Sequence, residues 1–311
     1  MSTMDIAFQS LGAGVQTEFG TWLNPGALVT YVHHSAGRAQ DIEPIRSRTY
    51  STLNSALLHC RSGAGDVVAV LPGHAESFSA ADSLTNLVAG TQIIGLGHGT
   101  LRPTFTWSAA GSTVLFDVAD VKIRNCILNM EPGTGSVTVT APITVSAAGC
   151  QILDCEGRFS TDANNKVTIG ITTTAAADGL TLKRNHFYGA TAGECTTFLD
   201  IIGVDRLCME DNVIEGATSA TTVGIIRFAT TASLNIRQAR NSYLNRKALS
   251  TAAVTGLAGV SGVGRDEHVH YLDTSSLTAW LTSAGIMTQH RPTVTNTAGE
   301  TGSEVVGTVS A

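Results

Sequence analysis

The segment "VKIRNCIL" at residues 121–128 returns in altered form as "CQILDCEG" (150–157), "LTLKRNHFY" (180–188), "LCMEDNVIE" (207–215) and "LNIRQARNSYL" (234–244). Each copy places a short polar residue between apolar ones. These polar residues line up as Asn125, Asp154, Asn185, Asn212 and Asn241, at steps of 29, 31, 27 and 29 residues. A period of this size with strand-like content predicts stacked coils rather than a single globular core. One coil cannot bury its apolar face alone, so each must stack on a neighbour. A polar residue recurring at a turn has a physical role, since its side chain can bond backbone groups of its own coil and of the next.

Working outward, each of these units follows a second short strand pattern: "PITVSA", "TIGITTT", "FLDIIGV" or "GIIRFAT". Two or three short strands per coil are the pattern of a parallel β-helix. Upstream, "VVAVLPG" reads as a buried strand stopped by Pro72 and Gly73. "TQIIGLGHG" supplies a strand and a corner, and "PTFTWS" and "STVLFDV" alternate apolar with polar residues. Residues 49–60, "TYSTLNSALLHC", read as a short helix capped by Ser51 or Thr52. Leu53, Ala56, Leu57 and Cys60 would form its apolar stripe. Such a helix would plug the open end of the stack.

The repeat divides the chain into an arm and linker at 1–48, a capped β-helix at 49–245, and an extension and tail at 246–311. The apolar residues of the first arm, in "FGTWLNPGALVTYVHH", lack a partner pattern of their own and are expected to pack on the main body or on another chain. Past Asn245 the regular coils are expected to end. "DEHVHYLDTSSLTAWLTSAGIM" reads as a strand and then a helix carrying Leu277, Trp280 and Leu281, with a further strand at "EVVGTV".

Composition narrows the function classes. Charged residues are 14% of the 311 and hydrophobic ones 43%, with 32 glycines. An average domain carries roughly 25% charged residues. The net charge of −6 and the lack of a basic tract argue against a general grip on nucleic acid. No run approaches the ~18 apolar residues of a membrane helix. The first residues lack a basic segment followed by an apolar core, so synthesis in a cytosol is expected. Six cysteines, Cys60, Cys126, Cys150, Cys155, Cys195 and Cys208, form no CxxC pair and read as buried thiols filling coil interiors.

The segments "GDVVAVLPGHAESF" (65–78) and "IIGLGHGTLRPTFTW" (93–107), with Gly97, Gly99, Arg102, Pro103 and Thr104, resemble the opening coils of pectate-lyase-like right-handed parallel β-helix proteins of tailed bacteriophages. The resemblance covers roughly residues 49–245. It implies an all-β solenoid. That wider family holds lyases, tailspike glycosidases, adhesins and non-enzymatic virion proteins, so the fold alone assigns no activity.

Glycan cleavage would need two carboxylates ~5 to 9.5 Å apart on one exposed face. Asp154 with Glu156, Asp200 with Asp205, and Glu210 with Asp211 are the candidate pairs; Asp154 sits at the ladder position, where a structural role is favoured, and Glu210 and Asp211 sit in a turn, where acidic residues serve local bonding. A lyase would need a dense aspartate cluster for calcium and a base, and Arg184, Arg206 and Arg237 are scattered without a shared acidic partner in sequence. Trp107, on an alternating strand, reads as core. His33 with His34, and His268 with His270, could suggest a metal, yet no third ligand is visible and an interface role is favoured. The sequence therefore assigns no catalytic, cofactor-binding or metal residue. The leading expectation is a virion structural protein on the capsid surface, a decoration or cement protein. It would form a homotrimer and bind the major capsid protein lattice through its arms, with no nucleic acid or membrane partner. A tailspike or tail-fibre adhesin that binds or cleaves surface polysaccharide is the second expectation, and a secreted polysaccharide lyase the third.

Overall fold

The computed structural model describes residues 27–34, 48–130, 138–159, 166–189, 195, 197–216, 225–229, 231 and 233–245, and strand backbone at 254–256, 260–265, 268–271, 281–282, 287–289, 293–295 and 301–302. The chain winds as a parallel β-solenoid, and each regular coil contributes one short strand to each of three sheets. The first sheet stacks Thr49–Tyr50, Val29–Val32, Val67–Val70, Gln92–Gly95, Lys122–Arg124, Gln151–Leu153, Thr181–Lys183, Cys208–Glu210 and Ser233–Ala239 in that order. The second runs from Ala75–Phe78 through Thr104–Trp107, Ile127–Met130, Glu156–Phe159 and His186–Tyr188 to Val213–Gly216 and Ser242–Asn245. The third stacks Val114–Phe116, Ile143–Val145, Ile169–Thr173, Thr197–Ile201 and Ile226–Phe228.

Alternation along each strand decides which side chains enter the interior. In the first sheet Val68, Ile93, Ile123, Ile152, Leu182 and Met209 lie in register, and all are buried. In the third, Val114, Ile143, Ile171, Leu199 and Ile226 do the same. Each such side chain contributes about 1.5–3 kcal/mol by leaving water, and only the stacking of coils makes that burial continuous. The second sheet holds the large rings. Phe78 stacks on Phe105 and meets Trp107 edge-on, with centroids 5.5 and 5.3 Å apart. Trp107 is fully inside, as its strand pattern predicts.

Where a ring fills the space of the next side chain in register, the sequence supplies a glycine. Gly157 sits in register between Leu128 and Phe187, and a Cβ there would lie 2.0 Å from the Phe187 ring. Gly95 is tighter in kind, because a Cβ would lie 2.3 Å from the Asn125 carbonyl oxygen, and backbone cannot swing aside.

The cap differs in detail from the expected helix. The helix α1 is Leu53–Leu57, shorter than 49–60, and Thr52 rather than Ser51 is its N-cap, accepting from the Ser55 N–H at 3.2 Å. Leu53, Ala56 and Leu57 are buried in the main core and Cys60 packs against it. Thr49 and Tyr50 are lost to the helix because they pair with Tyr31 and Val32. Residues 29–32 of the expected arm are thus a strand of the first sheet, between Thr49–Tyr50 and Val67–Val70. This part of the arm packs on the main body, one of the two expected outcomes. The outermost strand of this end is only two residues long, which limits the open edge.

At the other end the parallel ladders continue past Asn245, where the regular coils were expected to stop. Val254–Gly256 and Leu281–Thr282 extend the third sheet, Val260–Arg265 and Met287–Gln289 the first, and His268–Tyr271 and Thr293–Thr295 the second. The sequence repeat fades there because small residues and glycines replace the large apolar ones that mark earlier coils. Leu281, expected in a helix, lies in a strand. Leu277, Trp280 and the "EVVGTV" segment lie outside the described residues.

Gly95→Ala should destabilise the fold by about 1–3 kcal/mol. Gly111→Ala, where a Cβ meets nothing within 4 Å, should stay within about 0.5 kcal/mol of the parent. Urea unfolding followed by circular dichroism measures both.

Candidate functional site

The turn from the first sheet to the second carries the recurring polar residues, and its geometry corrects the alignment expected from the sequence. The residues in register are Asn125, Asp154, Arg184, Asp211 and Arg240, at steps of 29, 30, 27 and 29. All five have positive φ, between 53° and 56°. A single left-handed residue bends the chain between two strands without breaking the stack. The N–H groups of Asn125, Asp154, Arg184 and Asp211 donate to the carbonyls of Leu153, Lys183, Glu210 and Ala239 in the next coil, at 3.0–3.1 Å. For a residue other than glycine this conformation costs about 1–3 kcal/mol, and the repeated interstrand bonds hold it.

The next position points inward and is occupied by Cys126, Cys155, Asn185, Asn212 and Asn241, all buried. Asn185, Asn212 and Asn241 therefore belong to a different column from Asn125 and Asp154. The inward amides form a ladder. Asn212 Nδ2 donates to the Leu182 carbonyl and to Asn241 Oδ1, both at 2.8 Å. Asn212 Oδ1 accepts from Asn185 N and Nδ2 at 3.1 and 3.0 Å. Asn185 repeats the pattern, donating to the Ile152 carbonyl at 2.8 Å and accepting from Cys155 N at 3.0 Å. Cys126 and Cys155 continue the column with thiols that reach the Arg124 and Leu153 carbonyls. Burial pushes the Cys155 thiol up to about 12 and Cys126 well above its usual range, so both stay protonated and unreactive. None of the six cysteines is in a disulfide.

Outside this column, the candidate carboxylates are all in ion pairs. Asp154 accepts from Arg124 Nε at 2.6 Å on the preceding coil and from Arg184 Nε at 2.5 Å on the following one. Glu156 is held by Arg102, by Arg158 Nε at 2.6 Å and by the Tyr188 hydroxyl at 2.8 Å. Glu210 meets Lys183 Nζ at 2.7 Å and Arg237 at 2.5 Å. Asp211 takes both donors of Arg240 at 2.5 and 2.8 Å. Asp200, on the third sheet, is clamped by both donors of Arg227, its register partner on the next coil. Asp205 sits in a separate turn with Arg206 at 3.4 Å and Asn235 Nδ2 at 2.7 Å. Asp200 and Asp205 thus lie in different parts of the coil, each bound to its own partners. Arg184 and Arg237 each find an acidic partner one coil away, at Asp154 and Glu210, while Arg206 pairs with its sequence neighbour Asp205.

The titration of these acids follows. Burial raises the Asp154 carboxyl, but the Arg184 hydrogen bonds and the charges of Arg124 and Arg184 outweigh it, and the net position is below the ordinary range. Glu156 has the same balance, with Arg158 and Tyr188 overcoming burial. Lys183 lowers Glu210 and Arg240 lowers Asp211. A general acid for glycan cleavage needs its carboxyl raised so that it holds a proton near neutral pH. These four are shifted the opposite way.

The histidine pair His33 and His34 stacks with centroids 4.8 Å apart, and a third imidazole, His74, lies 6.5 and 5.9 Å from them. The sequence offered no signal for His74, since it joins them only through the pairing of Val29–Val32 with Val67–Val70. His74 Nε2 lies 3.0 Å from Glu76 Oε2, which also accepts from the Leu53 N–H at 2.8 Å and so ties α1 to the second sheet. Among the described residues no group of three or more His, Cys, Asp or Glu has the geometry to hold a metal ion. His268 and His270 occupy register positions on the second sheet paired with Ser242 and Leu244.

Two outcomes test this assignment. Asn212→Ala strips partners from the buried Leu182 carbonyl and Asn185 N–H, and should destabilise the fold by about 2–5 kcal/mol in urea unfolding. The ion pairs give a pH dependence of known sign. Ordinary carboxyls titrate at ~3.9 for Asp and ~4.3 for Glu, and the folded values here are lower. Their contribution is therefore complete above those values and is lost as pH falls through the lower folded ones. The thermal midpoint should be level from ~pH 7 to ~pH 5 and fall steeply below ~pH 4, with a shallower fall in Asp154→Asn.

Comparison of the chain with protein-family models, with curated proteins and with solved structures finds no match.

Proposed function

We propose that this chain is a structural protein of a tailed-bacteriophage virion, a decoration or cement protein that binds the outer head lattice as a homotrimer. The observation that carries the reading is the state of the six candidate acids, each of which is engaged by a cation. Most of these pairs join one coil to the next, so they strengthen the rod along its axis and leave no poised acid and base for chemistry. A stiff solenoid with a zippered outer surface suits a spacer better than a cleavage centre. The resemblance of residues 65–78 and 93–107 to phage β-helix openings supplies the context.

The mechanism is mass action. A protein that binds only the assembled lattice shifts the equilibrium toward it by RT ln(1 + [L]/Kd) for each site. Rigid coils add to this, because little conformational entropy is lost on docking.

Antibody-gold labelling of purified virions tests the proposal. Label over the head in many copies is the expected result. Label confined to the tail tip would overturn it in favour of an adhesin, and the acid pairs would then go to a glycan-cleavage assay.

A further inference from the structure

We propose that two edges of the solenoid, one cationic and one acidic, are the two halves of a single interface. Through it the chain binds a second copy of itself, side by side and parallel, each coil level with its like. Such an interface deepens the self-association proposed above, rests on that reading only for the second copy, and is tested on the isolated chain, apart from any virion. Charge on the outer surface is sorted by edge. On the second sheet Arg102 and Arg158 stand beside Glu156 and Glu215, and on the third Arg227 stands beside Asp200. Among the described residues both faces balance. Along the first sheet and the turn that leaves it stand Lys122, Arg124, Lys183, Arg184, Arg237 and Arg240. The described carboxylates beside them are Asp154, Glu210 and Asp211. This leaving edge is cationic in a chain whose net charge is −6.

The turn that enters the first sheet has the opposite sign. It carries Asp117, Asp120, Asp178 and Asp205, with Asp82 one coil earlier and Arg206 as its one cation among the described residues. Asp117 and Asp120 are exposed. Asp117, Asp120 and Asp178 form no ion pair among the described residues. Burial, and after it the charge of Asp117, pushes the Asp82 carboxyl up, as negative charge without an offsetting cation does. The carboxylates of the leaving edge, by contrast, are already held by cations of their own chain. The unmet demand for positive charge therefore lies at the entering edge.

The two edges match level by level. In the coil of Lys122 and Arg124 the entering turn carries Asp117 and Asp120, and in the coil of Lys183 and Arg184 it carries Asp178. The coil between them leaves through Asp154 and enters through Ala148 and Gly149, which bear no charge. The coil after them leaves through Glu210 and Asp211 and enters through Asp205 and Arg206, which cancel. Arg237 and Arg240, one coil further, meet Glu210 and Asp211 of their own chain. At equal height, acid therefore faces cation or a turn without net charge. A slip by one coil, ~4.8 Å, sets Asp154 against Asp120 or Asp178, and like charges directly opposed are costly. Antiparallel pairing of two leaving edges would leave Asp117, Asp120 and Asp178 without a cation. Contact between unlike edges of parallel copies at one height is heterologous, and repeated about an axis it closes a ring.

Zero-length crosslinking of the full chain tests the interface. Isotopically light and heavy protein are mixed in equal amounts, a carbodiimide joins lysine amines to carboxylates in contact with them, and the joined peptides are read by mass spectrometry. Lys183 and Glu210, 2.7 Å apart in one chain, supply the internal control, joined light to light and heavy to heavy. The expected light-to-heavy products join Lys122 to Asp117 or Asp120, and Lys183 to Asp178. Sedimentation should show an oligomer in dilute salt that dissociates in strong salt, since exposed charges are screened there. Asp117→Lys should weaken association by roughly tenfold or more, and adding Lys122→Glu to the same chain should restore it, both with the far-ultraviolet circular dichroism of the parent. A monomer in dilute salt, association indifferent to Asp117→Lys, or light-to-heavy products that avoid these aspartates would overturn the proposal. Products joining Lys122 or Lys183 to Asp154 or Glu210 of another chain would overturn it in favour of an antiparallel pair.

Discussion

Stacking of coils in register is the constraint on which the rest of the molecule depends, and the turn between the first and second sheets is where it is enforced. There a left-handed residue bends the chain, its N–H bonds the next coil, and the following side chain points inward. Asn185, Asn212 and Asn241 fill that inward position with amides that bond each other and the backbone at once. A buried amide is stabilising only when all its partners are present, and here the partners come from the coils on either side. A shift of one coil by one residue would leave several polar groups buried and unpaired, and would turn apolar side chains outward. The ladder therefore selects one register.

The outer charges reinforce the same register from the opposite side. Asp154 bridges Arg124 and Arg184 on its two neighbouring coils, and Glu210 bridges Lys183 and Arg237. An isolated surface pair contributes little, but a carboxylate shared by two cations from flanking coils resists sliding in either direction. Side chains that the sequence presents as candidate catalysts are in this way part of the mechanical design. The chemistry they would need, a raised carboxyl beside a lowered one, is opposed by the cations that hold them.

The two ends of the stack are handled differently. At the amino-terminal end α1 buries Leu53, Ala56 and Leu57 in the main core, and Glu76 accepts both the Leu53 N–H and a contact from His74. The strand Val29–Val32 then adds a coil outside Val67–Val70, so the end is closed by chain that precedes the repeat. Toward the carboxyl end the ladders run on through coils whose sequence no longer shows the period. Backbone pairing can continue where side-chain periodicity fades, because each new strand needs only a parallel neighbour to bond.

The solenoid class, the buried strand at 67–70, the capping stripe and the interior place of Trp107 were legible in the sequence, because period, alternation and turn residues are local properties. The column assignment was not. Asn125 and Asp154 resemble Asn185, Asn212 and Asn241 as residues, and only the interstrand hydrogen bonds reveal that the first two bend the chain while the other three fill its interior. Nor could the sequence show that Arg184 and Arg237 have acidic partners 27–30 residues away, or that His74 joins His33 and His34. Local order of residues determined that this chain forms coils. Tertiary stacking decided which residues face each other, since a contact across a ladder depends on the length of every intervening turn.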